Sequence, residues 1–383
     1  MMRIIADENM PFVSQLFEPL GEVSLVDGRS LSPSHLIDAD VLLVRSVTQV
    51  NAALLSQANR LSFIGSATIG TDHIDQQLLI SRSIEFAHAP GCNATAVGEF
   101  AFMAMLELAG ITREPLAGKK VGIVGAGNTG SALARCLAAY HVEYLLCDPL
   151  LAEADTHSTT STRRQYTQLD ELIHECDVIS LHVPLTREGP YPTWHLFDHQ
   201  RLAQLRPGCW LINTSRGDVI DNPALLQLAL TRPDIKLALD VWAGEPTPIS
   251  ALIERADIAT PHIAGYSLEG RARGTLMLRQ QLARLQQCEV DIELSDLLPE
   301  AIFNQLTLSA SPDEAGLRQL CRLVYDLRDD DKLFRFYAGQ SGGFDQMRRN
   351  HRHRRELSVL TLVNEGAFEV DWLTKLGFSG VNL

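Results

Sequence analysis

The stretch Val121-Gly122-Ile123-Val124-Gly125-Ala126-Gly127-Asn128-Thr129-Gly130 decides the fold, because a strand-forming run passes directly into G-x-G-x-x-G and then into helical sequence, Ser131 to Tyr140. Each glycine answers a separate need. Gly125 permits a tight turn, Gly127 lets backbone approach a pyrophosphate, and Gly130 allows a helix to lie close to its strand. The N–H groups of the helix start, at Asn128 and Thr129, then face the anion. Such a hexapeptide is by itself also an ordinary glycine-rich turn, so its context decides. Eighteen residues past Gly130, Tyr144-Leu145-Leu146-Cys147 ends in Asp148. A carboxylate there accepts hydrogen bonds from ribose hydroxyls and repels a 2'-phosphate, which favours NAD over NADP. The plainer reading of Asp148 is a turn residue before Pro149.

Outward from this motif the sequence alternates strand and helix. Strands are expected at 120–125, 143–147, 177–183, 209–214, 236–241 and 257–260, with helical stretches between them such as Leu169 to Cys176 and Ala224 to Leu230. Six strands with helical crossovers predict a Rossmann-type doubly wound sheet, whose ligands bind beyond the carboxyl ends of the strands. Upstream, Ile4-Ile5-Ala6, Val41 to Val44, Phe63-Ile64-Gly65 and Ile84 to Ala87 predict a second, flavodoxin-like α/β unit. Ala96 to Ile111, apolar apart from interruptions such as Glu99 and Glu107, predicts a largely buried helix. Beyond residue 287 the pattern changes to a strand-like Ile302 to Leu308, a helical stretch from Asp313, a basic run and an alternating Leu357 to Val363, which predicts an α+β unit. The expected division is 1–95 (completed by about 263–286), 96–262 and 287–383. Asp155 to Thr162, rich in Ser and Thr, is expected to be a surface loop.

Composition narrows the function classes. The 383 residues carry 33 Lys and Arg against 47 Asp and Glu, a net charge of −14 with histidine neutral, so no general nucleic-acid-binding surface is expected. The seven cysteines form no C-x-x-C pair and mostly occupy apolar runs, as expected of reduced thiols in a cytoplasmic protein. The N-terminal Met-Met-Arg-Ile-Ile-Ala-Asp-Glu-Asn is too acidic for a signal peptide, and no run approaching about 18 apolar residues is expected, so no membrane association is predicted.

Three polar residues follow the later strands: Arg216 in Asn213-Thr214-Ser215-Arg216-Gly217, Glu245 in Asp240-Val241-Trp242-Ala243-Gly244-Glu245, and His262 in Thr260-Pro261-His262-Ile263-Ala264-Gly265. The sheet rule opens all three loops on the cofactor face. Oxidising a 2-hydroxy acid needs a base near neutral pKa for the hydroxyl proton and a permanent cation for the carboxylate and forming carbonyl. Histidine and arginine suit those roles, and a glutamate beside the histidine fixes its tautomer. Singly, each residue also reads as an ordinary polar group at a strand end.

Together, Gly125 to Gly130, Asp148, Asn213 to Gly217, Asp240-Val241 with Glu245, and Pro261 to Gly265 resemble the D-isomer-specific 2-hydroxyacid dehydrogenases over about residues 1 to 285. Asp7 to Pro11, Val44 to Thr48, Ala89 to Ala94 and His262 to Gly270 are similar, within that family, to the branch oxidising 4-phospho-D-erythronate in pyridoxal 5'-phosphate biosynthesis. The resemblance implies NAD as cofactor, active-site roles for Arg216 and Glu245, and His262 as proton donor and acceptor. It implies an NAD site that includes Asp148, Asp240 and Gly265, substrate contacts from Ser46, Thr68 and Tyr266, and a C-terminal dimerisation domain that makes a homodimer. A relative acting on 3-phosphoglycerate or another 2-hydroxy acid, and an NAD-sensing regulator on the same scaffold, are the alternatives.

A phosphorylated four-carbon acid carries about three negative charges near neutral pH, so a second cationic site beyond Arg216 is expected. Arg45 is one candidate, and the run Arg348-Arg349-Asn350-His351-Arg352-His353-Arg354-Arg355 is the other. The run also reads as an exposed helix face paired with nearby acids. No metal site is expected.

Overall fold

Five parallel strands form from the first ninety residues: β1 (Met2–Asp7), β2 (Gly21–Val26), β3 (Val41–Val44), β4 (Phe63–Ser66) and β5 (Glu85–His88), in the order β2-β1-β3-β4-β5. This is the flavodoxin-like order. In the computed structural model, which describes residues 1–156, 164–351, 354–366 and 368–382, the sheet belongs to a compact unit of residues 1–93 and 266–300. The helix Leu268–Leu285 supplies Leu276, Leu278 and Leu282 to the same core as Ile4, Leu43 and Phe63. Within this sheet, β2 is the strand that sequence periodicity missed. It sits at the sheet edge, with Gly21 buried, Glu22, Ser24 and Leu25 exposed and Val23 and Val26 in between, so no clean alternation marks it.

The second unit, residues 94–265 and 301–383, holds six parallel strands: β6 (Val121–Val124), β7 (Tyr144–Cys147), β8 (Val178–Leu181), β9 (Trp210–Asn213), β10 (Lys236–Leu239) and β11 (Ile258–Ala259). Their order is β11-β10-β9-β8-β6-β7, which confirms the doubly wound sheet and puts its reversal point at β6 and β8. All four residues of β6, β8 and β9 are buried, as a parallel sheet covered on both faces requires.

The apolar segment forms the helix Ala94–Thr112. By length and composition it could cross a membrane, contrary to the expectation that no such run exists, yet 83% of its 18-residue window is buried inside the protein. Phe100, Phe102, Met105, Leu106 and Leu108 are essentially inaccessible, each worth about 1.5–3 kcal/mol of burial. Its two acidic interruptions anchor the C-terminal segment. Glu107 takes a two-pronged contact from Arg322 at 2.6 and 2.7 Å, and Glu99 accepts from the Leu357 N–H. Residues 301–383 therefore pack into the second unit.

That segment contains a parallel sheet of β12 (Gln305–Leu308), β13 (Thr361–Asn364) and β14 (Ser379–Asn382), with the helices Glu314–Val324 and Leu327–Tyr337. The expected strand from Ile302 begins only at Gln305, and Ile302 and Phe303 are exposed. Of the expected loop Asp155 to Thr162, Asp155 and Thr156 end the helix Pro149–Thr156, and the remainder lies outside the described residues.

Candidate active site

The glycine loop leaves β6 and enters the helix Asn128–Ala139, as the sequence requires. Gly125 has φ of +92°, and a Cβ on Gly130 would lie 1.9 Å from the Gly125 carbonyl oxygen, so helix and turn meet only through glycine there. No described atom lies within 4 Å of where a Cβ on Gly127 would project. Gly127 caps the helix without a side-chain hydrogen bond, so the first-turn N–H groups at Asn128 and Thr129 suit an anion. Asp148, directly after β7, accepts from Ala126 N–H at 2.9 Å and Leu151 N–H at 3.1 Å. It thus braces the loop as well as beginning a turn, and its carboxylate oxygens keep lone pairs for further donors. The set fits NAD: an open backbone cradle, a helix start for the pyrophosphate and an acid for the ribose.

The loops after β9, β10 and β11 are fastened to one another. Asn213 accepts from Ser215 N–H and Oγ and donates to the Arg216 carbonyl, shaping the turn that presents Arg216. A Cβ on Gly217 would fall 1.8 Å from the Trp242 carbonyl carbon, so the Arg216 turn lies directly on the Glu245 loop. Asn222 bridges them, donating to the Gly217 carbonyl and accepting from Ala243 N–H at 3.0 Å. Trp242 Nε1 donates to the Thr260 carbonyl at 2.9 Å, joining the Glu245 loop to the His262 loop. Sequence reasoning did not single out Gly217, Asn222 or Trp242, because their partners are remote in the chain.

At the centre, His262 Nδ1 lies 2.8 Å from Glu245 Oε2, and Glu245 Oε1 accepts from Trp242 N–H at 2.9 Å. Burial by itself would raise the Glu245 carboxyl. The His262 charge, the hydrogen bonds from His262 and Trp242, and the Arg348 charge outweigh it and hold Glu245 below the ordinary glutamate range. Asp240 is buried under this loop. Oδ1 accepts from Thr260 Oγ1 and Ile263 N–H, and Oδ2 accepts from Ala264 N–H. Burial pushes the Asp240 carboxyl up, with His262 and these donors opposing. Asp240 thus shapes the loop that carries His262, and Gly265 ends that loop half-buried.

His182, after β8, was not foreseen. Burial pushes its imidazole down to about 3, its Nε2 lies 2.8 Å from Ser180 Oγ, and a Cβ on Gly125 would meet its carbonyl oxygen at 2.6 Å. It is a neutral wall beside the glycine loop. Arg164 is another unforeseen neighbour, donating to the Ala126 carbonyl and Ser131 Oγ.

In the first unit, Arg45 Nη2 donates to Tyr266 Oη at 3.3 Å and Arg45 Nη1 stands 3.9 Å from Asp7 Oδ1. The guanidinium groups of Arg45 and Arg271 each lie 5.8 Å from the Tyr266 ring centre. Burial, and then the like charge of Arg45, bring Arg271 down to about 10. Arg271 was missed because a lone arginine in a helix carries no sequence signal. Thr68 Oγ1 donates to the Gly70 carbonyl and lies 2.7 Å from Ser66 Oγ, whereas Ser46 is exposed after β3.

Within the basic run, Arg348 acts on Glu245 through its charge, and His351 pairs with Asp330 at 3.0 Å. Arg352 and His353 lie outside the described residues. No group of three or more His, Cys, Asp or Glu arranged to hold a metal occurs among the described residues.

Comparison with known proteins bears on this geometry. The family described as D-isomer specific 2-hydroxyacid dehydrogenase, NAD binding domain, matches residues 104–264, and a domain of unknown function matches residues 297–377. Erythronate-4-phosphate dehydrogenase of Shewanella sp. (strain ANA-3) is 58% identical over 381 residues, 99% of this chain and 100% of that protein. The protein of the same name from Shewanella amazonensis is 58% identical over 380 residues, with the same coverage. Among solved structures, D-lactate dehydrogenase from Aquifex aeolicus, complexed with NAD and lactic acid, superposes with a TM-score of 0.60 at 26% identity, covering 74% of this chain and 96% of that one. NAD+-bound 3-phosphoglycerate dehydrogenase of Entamoeba histolytica shares the fold, with a TM-score of 0.62 at 23% identity over 75% of this chain and 95% of that one.

Proposed function

Because the chain belongs to the D-isomer-specific 2-hydroxyacid dehydrogenase family, in its erythronate-4-phosphate dehydrogenase branch, we propose that it oxidises 4-phospho-D-erythronate to (R)-3-hydroxy-2-oxo-4-phosphooxybutanoate with NAD, as a step toward pyridoxal 5'-phosphate. NAD, held by Gly125 to Gly130 and Asp148, supplies the hydride acceptor for C2 when bound. His262 uses Nδ1 toward Glu245, which leaves Nε2 to take the C2 hydroxyl proton. Glu245 orients the ring and stabilises the imidazolium that forms. Arg216 holds the substrate carboxylate and polarises the developing carbonyl. The first unit's Arg45, Ser46, Thr68 and Tyr266 bind the substrate, with Arg271 as a further cation for its phosphate; Arg348 is the other candidate for that charge. The observation that carries the reading is the 2.8 Å His262–Glu245 contact on a loop fastened to the Arg216 turn.

We further infer a cytoplasmic homodimer joined through residues 301–383. Leu323, Leu333 and Phe336 expose about half or more of their surface on the two helices of that segment, an apolar area that a second copy would cover. Phe336→Asp should give monomers by sedimentation; an undisturbed dimer contradicts this assignment. The function is tested by incubating the enzyme with NAD and 4-phospho-D-erythronate, 3-phosphoglycerate or D-lactate and following NADH. The four-carbon phosphate should have the highest kcat/KM; preference for either other acid overturns the substrate assignment.

A further inference from the structure

We propose that Arg354 is a positioning residue for the catalytic histidine, holding the His262 loop from its carbonyl side. The proposal rests on the dehydrogenase reading for its kinetic consequence, although not for its geometry. His262 has φ of +59°, a left-handed conformation that a residue with a side chain keeps only when its surroundings enforce it. Asp240 enforces it from one side: His262 N–H donates to the Asp240 carbonyl, and Ile263 and Ala264 N–H donate to the Asp240 carboxylate. Arg354 supplies the opposite side. Its Nη2 donates to the carbonyl of Ala264, two residues past His262, and at 2.6 Å to the carbonyl of Ala96 in the helix Ala94–Thr112. The Ala264 residue is thereby held through both its N–H and its C=O.

The guanidinium is itself held in place. Arg354 is 5% exposed, its carbon Cζ lies 4.6 Å from the Tyr325 ring centre and 5.6 Å from that of Phe100, and Tyr325 Oη donates to Asp330 at 2.7 Å. Its Nε and Nη1 have no hydrogen-bond partner among the described residues. Aromatic faces offset part of the cost of burying this charge, and an apolar side chain would fill the same space without that cost. What an apolar side chain does not supply is the donor to Ala264. Sequence position hides the role, because Arg354 and Ala264 are 90 residues apart.

Arg354→Met and Arg354→Lys in the full-length enzyme test the proposal. Displacing catalytic groups by about 1 Å costs on the order of a hundredfold in rate. Arg354→Met should therefore lower kcat per NAD-binding site ten- to a hundredfold, with KM and NAD affinity within about threefold, and Arg354→Lys should recover part of the loss. The His262 ring proton resonance, assigned by its absence in His262→Asn, should titrate at a different pH in Arg354→Met than in the parent. That readout needs no turnover, so it separates failure of this proposal from failure of the substrate assignment. An unmoved titration, or kcat within twofold of the parent, reduces Arg354 to a packing residue whatever the change in Tm; if Arg354→Met does not fold, the same two readouts on Arg354→Lys decide.

Discussion

The glycine loop at Gly125–Gly130 and the histidine loop at Thr260–Gly265 both leave parallel strands of one sheet, yet they are built in opposite ways. The first is nearly self-contained, since its turn, its close approach and its open N–H groups follow from three glycines within six residues, with Asp148 as a brace. The second has almost no local determinant. It is held by Asp240 and Trp242 from the preceding loop, by Glu245 on the imidazole and by Arg354 from the C-terminal segment. Cofactor binding can be built on backbone shape, whereas proton transfer needs side chains brought from several strands. Damage to the first loop should therefore appear as lost NAD affinity, and damage to the second as lost turnover.

Short of removing the histidine itself, the largest effect separating the two regions is expected from Gly130→Ala. Its Cβ meets the Gly125 carbonyl oxygen, and overpacking of this kind costs about 1–3 kcal/mol, so NAD affinity should fall by up to about a hundredfold in fluorescence titrations. Asp240→Asn should do the converse. One N–H of the loop loses its acceptor at a cost of about 1–3 kcal/mol, so kcat should fall about tenfold or more, and by a larger factor than NAD affinity. Equal losses of affinity and turnover in both variants would erase the distinction.

Glu245→Gln sharpens it further. The Glu245 carboxyl is held below its ordinary range, so its pairing with His262 stabilises the fold above that range and is lost as the pH falls through the lowered value. The Tm difference between parent and variant should accordingly shrink toward acid pH. Removing a negative charge beside the base should also move the acid limb of kcat/KM for oxidation to lower pH. A coincident limb would show that Glu245 does not act on His262. The smallest effect belongs to the thiols. Burial pushes Cys147 up to about 11 and Cys176 and Cys209 up to about 12, and Cys288 is the exposed one of the seven. Native-state labelling should modify Cys288 first and leave turnover unchanged.

The same contrast explains what the sequence disclosed. Strands β6 to β11 were each located to within a few residues, because buried parallel strands are short unbroken apolar runs. Gly125, Gly127, Gly130 and Asp148 announce themselves through spacing. Arg216, Glu245 and His262 could be named as the groups that follow strands, and their three loops touch one another in the fold. Asn222, Trp242, His182 and Arg271 stayed hidden, since each acts through a partner that only the folded chain supplies. The attachment of residues 301–383 was hidden for the same reason. Glu99 and Glu107 read as interruptions of an apolar helix, and only the fold reveals that Leu357 and Arg322 meet them.

The most direct test of the central claim is His262→Ala, assayed with NAD and 4-phospho-D-erythronate beside an NAD-binding titration of the same preparation. A general base contributes about 10²- to 10⁴-fold, so turnover should fall by at least a hundredfold while NAD affinity is preserved. Turnover within a few fold of the parent, at unchanged NAD affinity, would contradict the assignment of proton transfer to the His262–Glu245 pair.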